Sequence, residues 1–272
     1  MSDENLIAMI PRFTRARGRY LYDTAGRRYL DLHADDGRAV LGHRPGTLTR
    51  HVKNSLEKGL LVSYPSRITD SVLRAATRIF PEYRYAAVYP TISDALGAIA
   101  AIRGRFVSYD DLLDPACDDT GDRDAPGRII RPFLDRPADA EIALPLLPFP
   151  GAFTPQLVVS RLELPAGDPA PPPFLAGLRH APSVFATLRP VEVAWPDEQS
   201  VFRRRGPYLC PVCSRDAYTT VFTRCLESGI LINPRYPRPS CAAPDATRAE
   251  LDAYVAAVSG RKARSNTTGG ER

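Results

Sequence analysis

The feature that most limits the fold of this chain is a stretch, from residue 65 to about 160, in which helical periodicity alternates with short apolar runs. Such alternation points to an α/β arrangement, because a short run that is apolar on both faces is buried only when helices cover it. Thr69-Asp70-Ser71 is placed to cap a helix carrying Val72, Leu73, Ala76 and Ile79. That helix should stop at Pro81, whose ring cannot continue it. Tyr85 to Tyr89 reads as a buried strand, 90–93 as a turn, and 94–102 as a helix of small residues able to lie close on a sheet. Further strands are expected at 105–109 and at Gln156 to Ser160, an exposed acidic loop at 114–128, and a proline-rich turn at 166–173.

The two ends differ in texture. Tyr20, Tyr22, a turn at Thr24-Ala25-Gly26, then Tyr29 and Leu30 predict a β-hairpin, followed by a helix from Thr47 through Val52, Leu56 and Leu60 at helical spacing, with Gly59 near its end. Near the other end a helix over 218–228 should end at a left-handed Gly229 and feed a strand at 230–232. Thr247 and Glu250 have the spacing of a capping box, which predicts a last helix over 247–258.

A chain of 272 residues, 44% hydrophobic and 25% charged, has room for one large domain or two moderate ones. It holds no apolar run long enough to span a bilayer, and the first residues are acidic, so a cytoplasmic protein with no membrane partner is expected. The net charge of +5 is spread over many arginines in short, separate clusters, which argues against a nucleic-acid surface. Five cysteines are an odd number, which argues against a disulfide framework. Cys210-Pro211-Val212-Cys213 leaves three readings open: buried thiols, a zinc site completed by Cys225 and Cys241, or a redox pair if Pro211 opens a helix. Gly206-Pro207 just upstream reads as a turn.

Residues 18–32, GRYLYDTAGRRYLDL, resemble the opening hairpin of class III aminotransferases, the pyridoxal-phosphate (PLP) enzymes of fold type I. Leu41-Gly42-His43-Arg44-Pro45 is similar to that family's Gly-His-x-x-Pro, with the proline one residue early. Thr91-Ile92-Ser93-Asp94-Ala95 stands where the family has Ser-Gly-Thr-Glu-Ala, and 222–234 with 247–258 look like its C-terminal small domain. The resemblance implies an α/β fold with a reduced PLP-transferase-like large domain over 63–194. An α+β small domain would be built from both chain ends, 1–62 and 195–259, with a disordered tail over 260–272.

The resemblance also implies a phosphate-binding turn, of which Thr91 and Ser93 would be the remnant. Ile92 takes the glycine's place, crowding the backbone approach an anion needs, and Asp94 repels a phosphate. The family's Asp-Glu-Val/Ile strand end, which holds the pyridine nitrogen, and its aromatic-His-Gly are not found. Pro155-Gln156-Leu157-Val158-Val159-Ser160-Arg161 looks like the family's segment of Pro-Asp, apolar strand and lysine, with Arg161 at or beside the lysine position. A guanidinium cannot form the Schiff base. Of 36 lysines and arginines only Lys53, Lys58 and Lys262 are lysine, two on the early helix and one in the tail. The resulting expectation is an aminotransferase-like protein without PLP catalysis, with no catalytic residue and no metal, serving as a homodimer or as partner of a true aminotransferase. The alternative is an enzyme or binding protein in which His33, His43, Asp35, Asp36 and Arg161 converge on an anionic metabolite in the remnant cleft.

Overall fold

The computed structural model describes residues 2–59, 61–118, 124–136, 139–149, 155–189, 195–196 and 200–260. The chain ends meet in one sheet. β1 (Phe13–Arg17), β2 (Tyr20–Asp23) and β3 (Arg28–Asp31) form an antiparallel meander, and β10 (Ile230–Leu231) adds parallel to β3, pairing Ile230 with Leu30. Gly229, at φ 77°, supplies the left-handed step that turns α8 (Arg215–Glu227) into β10. α9 (Arg248–Ser259) starts from the expected Thr247–Glu250 capping box. Leu6 of α1 (Asp3–Met9), Leu30, Phe202, Phe222 and Tyr254 share one core, so residues more than 200 positions apart bury each other's apolar surface. A second small sheet runs in the order β11 (Ser240–Cys241), β9 (Tyr208–Pro211), β8 (Phe202–Arg205). The turn at 206–207 is as expected, but Pro211 ends a strand and does not open a helix.

The middle of the chain forms a sheet in the order β4 (Tyr85–Tyr89), β7 (Gln156–Ser160), β6 (Ile142–Pro145), β5 (Arg128–Ile130), in which only β6 and β5 are parallel. Period-two alternation along β7 sends Leu157 and Val159 to one face and Val158 to the other. The first face is covered by α4 (Arg67–Ile79), α6 (Pro172–Leu178), α7 (Ala181–Thr187) and α3 (Gly46–Glu57). The second is covered by α5 (Ile92–Arg103), whose Ala95, Ala98 and Ile99 allow the close approach expected of small residues. Leu48 of α3 packs with Val72 and Phe80 in the core of this sheet.

Several local expectations are corrected. α4 starts at Arg67 after Ser66, which places Thr69-Asp70-Ser71 inside the helix. Residues 105–109 form no strand: Ser108 and Asp111 bond reciprocally and divert the backbone into a 3-10 turn, Tyr109–Asp111. The supposed loop at 114–128 is anchored, since Leu113 bridges to Arg128, Ala116 is buried and Asp114 is ion-paired. Gly260 closes α9 with a left-handed step, and the expected tail at 261–272, with Lys262, lies outside the described residues. Among the described residues no helix is long and apolar enough to cross a membrane.

Candidate functional site

The site begins where β3 ends. The buried Asp31 carboxylate accepts the N–H groups of His33 (2.9 Å) and Ala34 (3.0 Å) at Oδ1, and His43 Nε2 lies 2.9 Å from Oδ2. From there the chain makes one left-handed turn, α2 (Ala34–Gly37), with φ of 45°, 51°, 57° and 86°. Three of these residues carry a Cβ, at a cost of about 1–2 kcal/mol each, so the surroundings must hold the turn in place.

Residues from two distant segments, together with the neighbouring His33, do so. Asn233 Nδ2 donates to Asp36 Oδ1 at 2.7 Å, Arg238 Nη1 lies 3.3 Å from Asp36 Oδ2, and His33 Nδ1 lies 3.9 Å from Oδ1. Arg131 Nη1 donates to the Asp36 carbonyl at 2.6 Å while its other nitrogens grip Asp114. Burial alone would raise the Asp36 carboxyl, but His33, Arg238 and the Asn233 amide outweigh it and hold it at about 2.

Behind this turn opens a cleft of about 1000 Å³, lined among others by Asp36, Arg38, Thr91, Tyr109, Gln156 and Arg238. It therefore draws on the left-handed turn, the starts of α5 and β7, the 3-10 turn and the loop before β11. Arg38 is only 7% exposed, and its one side-chain partner among the described residues is neutral: Nη2 donates to Gln156 Oε1 at 2.9 Å. No carboxylate of the described residues lies within ion-pair reach of it. The Tyr109 hydroxyl is buried without a hydrogen-bond partner, and burial pushes its pKa up, so it remains a protonated donor. The Arg238 guanidinium sits 4.2 Å above the Tyr109 ring and also meets Asp110 at 2.9 Å.

The predicted site residues divide. Thr91 lines the cleft, but its hydroxyl accepts Asp94 N–H at 3.1 Å and donates to Asp94 Oδ2 at 2.7 Å, while Thr91 N–H donates to the same oxygen at 3.0 Å. The capping box thus sets a carboxylate over the start of α5. Ser93 is exposed and not part of the lining. Asp35 and Asp36 line the cleft, whereas His33 and His43 stand behind it as partners of Asp36 and Asp31. Arg161 does not join them. Tyr89 pairs with Gln156 and Tyr85 with Ser160, so Arg161 follows the far end of β7, five residues or roughly 16 Å from the cleft end. The residues missed were Arg38, Tyr109, Gln156 and Arg238. No local pattern marks them, and the apolar content around Tyr109 points to a strand where the chain forms a 3-10 turn.

The cysteine expectation is also corrected. Cys117 and Cys210, 93 positions apart, form a disulfide with Cα atoms 5.3 Å apart, because the 114–118 segment folds onto β9. Cys213, Cys225 and Cys241 are free, and burial raises all three, the latter two to about 12 and about 11, so none is an activated thiolate. Among the described residues no group of three or more His, Cys, Asp or Glu is placed to hold a metal. Among the described residues no lysine lines the cleft: Lys53, with a side chain 75% exposed, reaches Glu57 at 4.0 Å along α3, and Lys58 is exposed at the end of that helix.

No family model matches the chain. An uncharacterized protein of Borreliella burgdorferi is 34% identical over 105 residues, 39% of each chain. The [LysW]-aminoadipate semialdehyde/glutamate semialdehyde transaminase of Sulfolobus acidocaldarius is 37% identical over 70 residues, 25% of this chain. The chain thus spans 39% and 18% of the lengths of these two relatives. Among solved structures, a β-phenylalanine aminotransferase from Variovorax paradoxus matches 94% of this chain and 91% of its own, with a TM-score of 0.64 at 14% identity. Ornithine aminotransferase from Plasmodium yoelii matches 96% of this chain and all of its own, with a TM-score of 0.61 at 13% identity. The chain has the α/β fold of the class III aminotransferases, the fold type I architecture of PLP-dependent transferases, in a shortened form.

Proposed function

We propose that this chain is a non-catalytic protein of the aminotransferase fold, which forms no Schiff base with PLP and acts as a homodimer or as the partner subunit of a catalytic aminotransferase. The observation that carries this reading is the missing amine. A Schiff base requires a primary amine inside the cleft. The chain has three lysines; Lys53 and Lys58 are exposed on α3 and at its end, and among the described residues none lines the cleft. The phosphate side fits no better, since Asp94 places its own negative charge at the start of α5. These residues do not suit covalently held PLP, and no chemical step is assigned to it.

A subunit role is supported by the surface. Leu41, Leu56, Leu61, Val62 and Tyr64 are large apolar side chains left exposed, four of them within nine positions around the end of α3. Apolar surface gathered in this way marks association sites on soluble folds. Three of the proteins named above are a transaminase and two aminotransferases, so an enzyme of that chemistry is the natural partner class.

The test is direct. The protein is incubated with PLP, desalted, reduced with borohydride and analysed by peptide mass. The expected result is no aldimine absorbance and no stoichiometric pyridoxyl-lysine. One lysine carrying a full adduct would overturn the reading, and light scattering that shows a monomer with no partner in a pull-down would remove the subunit role. A second reading, a cleft that binds a small anion without covalent chemistry, is favoured by the buried Arg38, whose side-chain partner among the described residues is the neutral Gln156.

A further inference from the structure

We propose that the cleft is a binding site for a small carboxylate, held by the Arg38 guanidinium and the Tyr109 hydroxyl. It rests on the reading that no PLP aldimine fills the same space.

A guanidinium withdrawn from water and given only a neutral amide oxygen is a costly arrangement, and folded proteins tolerate it where an anion completes the pair. Arg38 is in that position, 7% exposed, bonded to Gln156 alone and facing an open cleft. Its planar fork matches the two oxygens of a carboxylate. A buried hydroxyl without a partner calls for a similar explanation. Tyr109 supplies one in the same cleft, and after burial itself Arg38 is the charge that acts most on it. Both groups are preset. Gln156 holds Arg38, while Arg238, fastened to Asp36 and Asp110, lies flat on the Tyr109 ring.

The charge balance selects the ligand class. Asp35, Asp36, Asp94 and Asp168 line the cleft together with Arg38, Arg235 and Arg238. Arg238 is already shared between two carboxylates, and Asp94 guards the helix start where a phosphate would otherwise settle. Four aspartates thus face three arginines, and the groups that offer an anion a partner are the Arg38 guanidinium and the Tyr109 hydroxyl. They suit a singly charged carboxylate and disfavour a dianionic phosphate.

The test uses the full chain, titrated with acetate, benzoate, L-alanine and inorganic phosphate at constant ionic strength, followed by thermal shift and calorimetry. At least one carboxylate should bind and raise the midpoint, with phosphate giving no comparable shift. Tyr109→Phe should leave the midpoint of the unliganded protein equal or higher, because the hydroxyl has no partner to lose, yet weaken carboxylate binding about tenfold. Arg38→Met should abolish binding, and if that variant does not fold, Tyr109→Phe alone decides. The proposal is overturned if no carboxylate binds, if phosphate binds as well as the best carboxylate, or if Tyr109→Phe binds like the parent. An aldimine would announce itself by visible absorbance before any titration, so the failure of the Schiff-base reading is told apart from the failure of this one.

Discussion

Arg131 and Asp114 form a two-pronged ion pair, with Nε 2.6 Å from Oδ1 and Nη2 2.5 Å from Oδ2, while the remaining nitrogen donates to the Asp36 carbonyl. The guanidinium is fully buried and lies 4.9 Å from the centre of the Tyr208 ring. A side chain at the end of β5 thereby connects the 114–118 segment, the left-handed turn and the small sheet.

Removing one partner leaves the other charge stranded. Asp114→Ala should therefore destabilise the fold by about 3–5 kcal/mol, read from urea unfolding. Replacing both residues by apolar ones should cost less than Asp114→Ala alone. A single variant of near-parental stability would show that the pair does not hold the turn.

Asp36 makes stability depend on acid. Its carboxyl titrates near 3.8 when unfolded and at about 2 when folded, so the unfolded chain binds the proton first as the pH falls. The contribution is whole above pH ~4, is lost as the pH drops towards 2, and is on the order of 2 kcal/mol. Comparing the parent with Asp36→Asn across that window should show the slope only in the parent.

Gly42 has φ 82°, and a Cβ there would lie 2.8 Å from the Gly18 carbonyl, which also receives the His43 N–H at 3.0 Å. Gly42→Ala should cost about 2–4 kcal/mol from left-handed strain and the displaced contact, and loosen the His43–Asp31 bond. Gly46→Ala, four residues on, has nothing within 4 Å of the added carbon and should be neutral or slightly stabilising in thermal melts.

The Cys117–Cys210 crosslink should show in unfolding experiments. Its 93-residue separation implies about 4.7 kcal/mol in the chain-entropy account, so reductant should lower the midpoint markedly. Alkylation of the unfolded, unreduced protein should label Cys213, Cys225 and Cys241. Cys213→Ser should leave the effect of reductant intact. Labelling of all five thiols would count against the bond.

Local signals were read well where local physics governs. The 20–31 hairpin, the Thr247–Glu250 box and the left-handed Gly229 are settled by neighbouring residues, and their positions follow from turn chemistry and capping. Strands β5 and β6 were passed over, because a short strand buried on both faces has no alternation to display. The segment at 105–109 has the apolar content of a strand, but Ser108 and Asp111 satisfy its backbone locally.

The sequence by itself determined one compositional fact that folding cannot alter, that only Lys53, Lys58 and Lys262 carry a side-chain amine. It also carried the pattern of hairpin and capped helices that points to this fold. Tertiary structure alone decided where charge would be stranded. The antiparallel register of β4 and β7 carries Arg161 away from the cleft, and a left-handed turn pinned by Asn233 and Arg238 turns Arg38 into it. Both outcomes depend on pairings between residues 70 to 200 positions apart. Periodicity along the chain holds no record of such pairings, because it reports which face is buried and not what will face it.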